Sequence, residues 1–320
     1  MLKGVYIALT TPFVYNTGMR DAYITLIEKF IALAAVRLPD DVLARLREMR
    51  GLEDSPAQKV IYDSYFENME KAIALGRPCC QDTGLPHFYL RAGTAFPYLD
   101  ITAEVLTEAV RRATASVPLR PNAVNYFDEV NTGDNTAERI PWIHWDLIPG
   151  SRDMEITLYF SGAGCSLPGA ARVFKPSDGY KAIIPFVFDV VSGPGVNACP
   201  PLVVGIGLGH SMENAALLSK KACLRLRGTS HPHPKGAELE RQILEGLNGL
   251  GIGAQGLPGR QVAAAVHIET SGRHTATIAC GVSVSCYVHR RGIIRLHDDL
   301  SYELLTYRGA RISTASSCVN

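Results

Sequence analysis

The sequence predicts an α+β fold: a helical N-terminal part followed by a mixture of short strands and helices. Two observations carry the prediction. Apolar residues in the first third recur at helical spacing. After residue 88, short apolar or alternating runs are interspersed with single helices rather than arranged as a doubly wound sheet. With no internal repeat and no low-complexity linker, residues 19–320 read as one domain behind an N-terminal extension, 1–18.

The extension has weak strand character. Residues 21–36 place Ile24, Leu26, Ile27, Phe30, Ile31 and Leu33 on a broad apolar face, which predicts a helix. Pro39-Asp40-Asp41 opens a second helix with acids in the turn where the macrodipole favours them. Ser55-Pro56 is an N-cap and first-turn pair for a third, which runs to about Leu75 and stops at Gly76. Residues 88–93 read as a strand, 101–117 as a helix and 131–135 as loop. Ile156, Leu158 and Phe160 alternate within a half-buried strand over 154–160, and the glycine-rich 162–169 then breaks all regularity. Leu202–Gly209 is an apolar strand, after which Ser211 caps a helix. A further helix over 237–250 precedes strands over 261–270, 276–288 and 292–296.

Composition excludes several classes. A formal net charge of +1, with no clustered lysines, argues against a nucleic-acid binder. No run of eighteen apolar residues suggests a membrane span. The N-terminus lacks the small-residue cleavage site of a signal peptide, so a cytoplasmic protein is expected. The eight cysteines are sparse and unevenly spaced in apolar or glycine-rich contexts, as in a reducing compartment. Most, Cys223 among them, read as small core residues.

Three motifs invite chemistry. Gly205-Ile206-Gly207-Leu208-Gly209-His210-Ser211 suggests a nucleotide loop, but its third glycine is misplaced and no acid follows about 20 residues on. It reads instead as a tight turn into a helix. Zinc fits poorly, because no C-x-x-C pair exists. An iron–sulfur cluster is held by thiolates, and three ligands would leave one iron open for Lewis-acid work. Cys80 beside Gln81 and Asp82, Cys199 before two prolines, and Cys286 near Arg290-Arg291 offer thiols in suitable company.

These phrases, Cys80-Gln81-Asp82-Thr83-Gly84, Asn197-Ala198-Cys199-Pro200-Pro201, Arg273-His274 and Ser285-Cys286 with Arg290-Arg291, resemble the N-terminal region of iron–sulfur (class I) fumarases. They equally resemble the alpha subunits of two-subunit fumarate hydratases. Phe127-Asp128-Glu129-Val130-Asn131-Thr132-Gly133, Gly164-Cys165-Ser166-Leu167-Pro168-Gly169 and Leu250-Gly251-Ile252-Gly253 bring the chain nearer the branch that dehydrates L(+)-tartrate to oxaloacetate. The likeness covers roughly residues 20–310.

The resemblance implies the fold of the N-terminal domain of those fumarases and a 4Fe-4S cluster on Cys80, Cys199 and Cys286. It assigns a small dicarboxylate substrate to Gln81 and Arg120, and acid–base roles to Asp82 and His274. On residue chemistry alone Arg120 reads as a surface arginine and His274 as a core histidine. Where fumarases carry a lysine-led segment, this chain has Ser161-Gly162-Ala163-Gly164-Cys165-Ser166, and backbone N–H groups of Ala163 and Gly164 are expected to line the substrate. Cys165 is expected near the cluster without being a ligand, and Cys79 as an extra thiol. The chain also ends where single-chain fumarases continue, which implies a separate beta subunit and an α2β2 assembly.

Overall fold

The computed structural model describes residues 17–312 and has the expected α+β architecture. Residues 1–16, with their weak strand character, and Cys318 lie outside the described residues. The long helix α1, Thr17–Val36, packs with α4, Thr102–Ser116, on one face of a five-stranded sheet. That sheet has the order β2 (Trp142–Ile148), β1 (Leu85–Gly93), β3 (Met154–Ser161), β8 (Arg291–Leu296), β9 (Tyr302–Leu304). The apolar face read from the sequence is the packed one: Ile24, Ile27, Phe30 and Ile31 are fully buried against Phe88, Leu90, Ile156 and Leu158. Each such side chain contributes about 1.5–3 kcal/mol by leaving water.

The second sheet has the order β4 (Ala170–Phe174), β7 (Ile278–Ser285), β5 (Leu202–Gly209), β6 (Ala263–Thr270). On its outer face lie α6, Ile183–Ser192, and α8, Pro234–Asn248. Helix α7, Met212–Cys223, fills the space between the sheets: Leu217 and the following Leu224 meet Tyr89 and Tyr159 of the first sheet. On its other side it rests on the glycines of β5. A Cβ at Gly207 would lie 2.0 Å from the Ala215 carbonyl oxygen, and one at Gly205 would lie 2.1 Å from that of Ser219. The glycine run that suggested a nucleotide loop therefore serves backbone-to-helix approach.

The remaining helices, α2 (Asp40–Leu52) and α3 (Pro56–Leu75), form a separate cluster around Leu46, Met49, Tyr62 and Tyr65, with Cys80 and Cys286 at its edge. Ser55 caps α3 by accepting from Gln58 N–H at 3.4 Å, and Gly76 ends it in the left-handed region. Among the described residues, no helix is long and apolar enough to cross a membrane.

Several local expectations need correction. Ser211 occupies the N-cap position of α7 but makes no cap bond; its hydroxyl donates to Glu213 Oε1 at 2.5 Å. The segment 162–169 is not wholly irregular, because Ala163–Ser166 closes one helical turn, α5. Strands β2, β4 and β9 carried no usable period, whereas helix α6 was overlooked although Ile183, Val187, Val190 and Val191 recur at helical spacing and are buried. β2 and β4 are mostly exposed or half-buried edge strands, and β9 is three residues long.

Between α2 and the strands lies a buried charged cluster. Arg291 donates to both carboxylate oxygens of Asp41, at 2.7 and 2.6 Å, and Arg227 N–H reaches Asp41 at 2.9 Å. His267 on β6 has both ring nitrogens buried without a partner. Burial, reinforced by Arg225, Arg227 and Arg291, pushes its pKa down to about 3. Burial, reinforced by Arg291, Arg227 and Lys220, holds His289 well below its ordinary value. A depressed folded pKa stabilises above the unfolded pKa, near 6.5, and that contribution is lost as pH falls toward the folded value. Urea titrations between pH 6.5 and 5, above the carboxylate range, are expected to lose about 1.4 kcal/mol per pH unit for each such histidine. His267→Phe should reduce that slope by one proton; an unchanged slope would disprove the assignment.

Candidate functional site

Four strand ends bring the predicted cysteines to one place. Cys80–Gly84 leads into β1, α5 follows β3, Cys199-Pro200-Pro201 leads into β5, and Cys286 follows β7. Pairing fixes these ends together: Leu85 faces Ser161 between β1 and β3, and Val203 faces Ser285 between β5 and β7. Hydrogen bonds tie these ends together, the first of them between the two sheets. Tyr159 OH donates to Ser285 Oγ at 3.0 Å, Phe160 N–H to the Arg290 carbonyl at 3.1 Å, and Tyr287 N–H to the Cys199 carbonyl at 3.2 Å.

The first loop turns on Gly84, whose φ of +71° favours glycine; a Cβ there would meet Ser161 backbone at 2.9 Å. The turn seats Asp82 against α5. Asp82 Oδ1 accepts from Gly84 N–H at 3.0 Å and Oδ2 from Ala163 N–H at 2.8 Å. The Ala163 N–H expected to face substrate is thus engaged by Asp82. Thr83 ties the next segment in: its hydroxyl accepts from Arg120 N–H at 3.0 Å, while the Arg120 side chain stays exposed. Gln81 is exposed, and Asp82 and Gly164 are half-buried.

The adjacent thiols separate clearly. Cys79 is buried, pointing its Sγ at the Ala35 carbonyl, 3.6 Å away, and burial pushes its pKa up to about 11. Cys80 is half-buried and acts electrostatically on Cys199, Cys286 and Tyr287. Cys199 is exposed, in the left-handed region at φ +54°, a conformation costing about 1–2 kcal/mol for a residue with a side chain. Burial raises its pKa, with further contributions from Cys80, Cys165 and Asp82. Cys165 is buried; its own N–H donates to the Gly162 carbonyl at 3.2 Å, while its Sγ accepts from both the backbone N–H and the thiol of Cys286. That bond, aided by Lys220 and Arg290, draws Cys165 down to about 6 and raises Cys286. Among the described residues, no three His, Cys, Asp or Glu side chains close to the spacing of a single-ion site.

His274 stands elsewhere. It is exposed on the turn before β7, its Nδ1 accepting from Ala276 N–H at 3.1 Å. The eight residues of β7 separate it from Cys286, a span of about 25 Å. At that far end opens a cavity of about 710 Å³ lined by Leu208, His231, Lys235, Ile268 and Arg273. Its lining contains no cysteine, so it lies apart from the convergent thiol chemistry.

The family profile described as fumarate hydratase (fumerase) matches residues 24–295. The chain belongs to that family. It is 49% identical over 282 residues to the L(+)-tartrate dehydratase subunit alpha of Escherichia coli strain K12, covering 88% of this chain and 93% of that protein. A putative L(+)-tartrate dehydratase subunit alpha of Methanocaldococcus jannaschii is 38% identical over 269 residues, covering 83% of this chain and 94% of the relative.

In this family member, sequence reading missed the residues that brace the thiols. Tyr65 on α3 stacks on Tyr287, with ring centroids 3.6 Å apart, and donates to the Pro200 carbonyl at 3.2 Å. Gln255 donates its side-chain N–H to Tyr65 OH at 2.8 Å and its backbone N–H to Pro200 at 3.1 Å. Tyr287 lies inside a motif already singled out, whereas nothing in the sequence marked Tyr65.

Proposed function

We propose that this chain is the alpha subunit of a hydro-lyase that converts L(+)-tartrate to oxaloacetate, and that Cys80, Cys199 and Cys286 hold an iron–sulfur cluster. The observation that carries the reading is the convergence of those three cysteines, from segments far apart in sequence, around Asp82. The residues fit the group. Cluster thiolates bind different irons, so they need not close to single-ion spacing. A buried guanidinium, Arg290, stands beside the thiols with two nitrogens lacking any partner. When bound, such a cluster supplies an open iron as a Lewis acid for the departing hydroxyl.

The chain's own residues bind the substrate and move the proton. The exposed Arg120 guanidinium matches a carboxylate in bidentate fashion, and the Gln81 amide adds a neutral contact. Gly164, in the first turn after β3, offers its backbone N–H as a further donor. Asp82 is held in place by two N–H donors, and each of its oxygens retains a lone pair with which to take a proton from the carbon next to the leaving hydroxyl. Loss of water leaves the enol of oxaloacetate, which tautomerises. The distance of His274 means that its acid–base role requires a second copy of the chain, as an α2β2 assembly would provide.

The relatives' designation as subunit alpha supports a separate beta partner. The test is an anaerobic assay of the reconstituted chain with and without that partner. Oxaloacetate formed from L(+)-tartrate only with the partner is the expected result. Turnover by the chain alone would overturn the shared site, and malate from fumarate at the greater rate would overturn the substrate. Fumarate–malate interconversion is retained as the second reading because it is the activity in the family's description.

A further inference from the structure

Two buried arginines stand side by side before and at the start of β8, and only one has a counter-ion. Arg291, with no exposed surface, is paired with Asp41 and donates Nη1 to the carbonyls of Leu224 and Arg225, both at 3.2 Å. Arg290 is 3% exposed. Its Nη2 donates to the Asp82 carbonyl at 2.7 Å and its guanidinium lies over the Phe160 ring at 5.4 Å. Its Nε and Nη1 are sealed from solvent and have no partner, and no carboxylate among the described residues is within ion-pair distance. A guanidinium does not give up its proton, and a buried unpaired charge is costly. The groups in its field are sulfur: Cys79, Cys165 and Cys286. Cys79 is turned away toward Ala35, which leaves the thiols on the cluster side.

We propose that Arg290 is a positioning residue that supplies the counter-charge for the thiolate-bound cluster and, through the Asp82 carbonyl, ties that charge to the loop carrying Cys80, Gln81 and Asp82. This rests on the cluster reading above. A fixed cation beside a cluster stabilises its reduced, more negative form and so raises the reduction potential. It also holds the anionic thiolates together against loss of iron.

The test uses the full chain, reconstituted anaerobically, with iron release to a chelator and the reduction potential as readouts. Arg290→Gln is expected to release iron severalfold faster and to shift the reduced-to-oxidised ratio about tenfold toward oxidised, which is about 59 mV for a one-electron couple. Arg290→Lys, which keeps the charge, should retain the wild-type potential. A folded Arg290→Gln chain with wild-type potential and iron retention overturns the proposal while leaving the cluster reading intact. A displaced potential in Arg290→Lys also overturns it, even should the Gln variant fail to fold. Wild-type chain that takes up no iron overturns the cluster reading and this proposal together.

Discussion

Replacing Cys80, Cys199 or Cys286 by serine is expected to abolish stable iron uptake, from about four irons per reconstituted wild-type chain to well below one. Serine is nearly isosteric but offers a poor alkoxide where the cluster needs a thiolate. With only three thiolates available, each loss removes a third of the protein's hold. The controls decide the matter. Cys79→Ser should keep its iron, because that thiol is buried with the α2–α3 cluster and faces the Ala35 carbonyl of α1. Cys165→Ser should also keep it, although its hydrogen bond to Cys286 makes it the sharper control. Iron and sulfide analysis with visible spectra reads the result. Loss of iron in Cys165→Ser with retention in Cys80→Ser would reassign the ligand set.

Asp82→Asn is expected to lower kcat of the assembled enzyme by about 10²–10⁴, with a smaller effect on KM. Asparagine keeps the size but removes the proton acceptor, and it turns an NH₂ toward one of two N–H donors that now meet carboxylate oxygens. Iron content should be unchanged, which separates a chemical role from loss of the site. The placement of His274 supplies a second arm. If His274 acts in the site of a neighbouring copy, mixing equal amounts of Asp82→Asn and His274→Ala chains should restore activity in about a quarter of the sites, since half the pairs are mixed and half their sites intact. No recovery in verified mixed assemblies would remove His274 from the chemistry.

Much of the fold was legible because local signals agreed with the final packing. The α1 apolar face, the Ser55 cap with its Gly76 stop, and strand Leu202–Gly209 each follow from short-range rules: periodicity, capping and β-propensity. The edge strands β2 and β4 were not legible, since a mostly exposed or half-buried strand has no strong alternation to read. The candidate site divides in the same way. Residue types in the Cys80, Cys199 and Cys286 motifs marked them as candidates for thiolate chemistry, because reactive groups and turn residues are local properties.

The sequence by itself determined the α+β class, the family and the set of candidate residues for the chemistry. Only the tertiary structure decided which of them meet. It turned Cys79 into the core and left Cys80 at the edge. It brought Cys199 and Cys286 together through the pairing of β5 with β7, and put a full strand length between Cys286 and His274. It also showed that Arg291 has Asp41 while Arg290 has no carboxylate partner. The physical reason is that strand register, helix packing and charge pairing join residues far apart in the chain, and no local pattern encodes the distance between them.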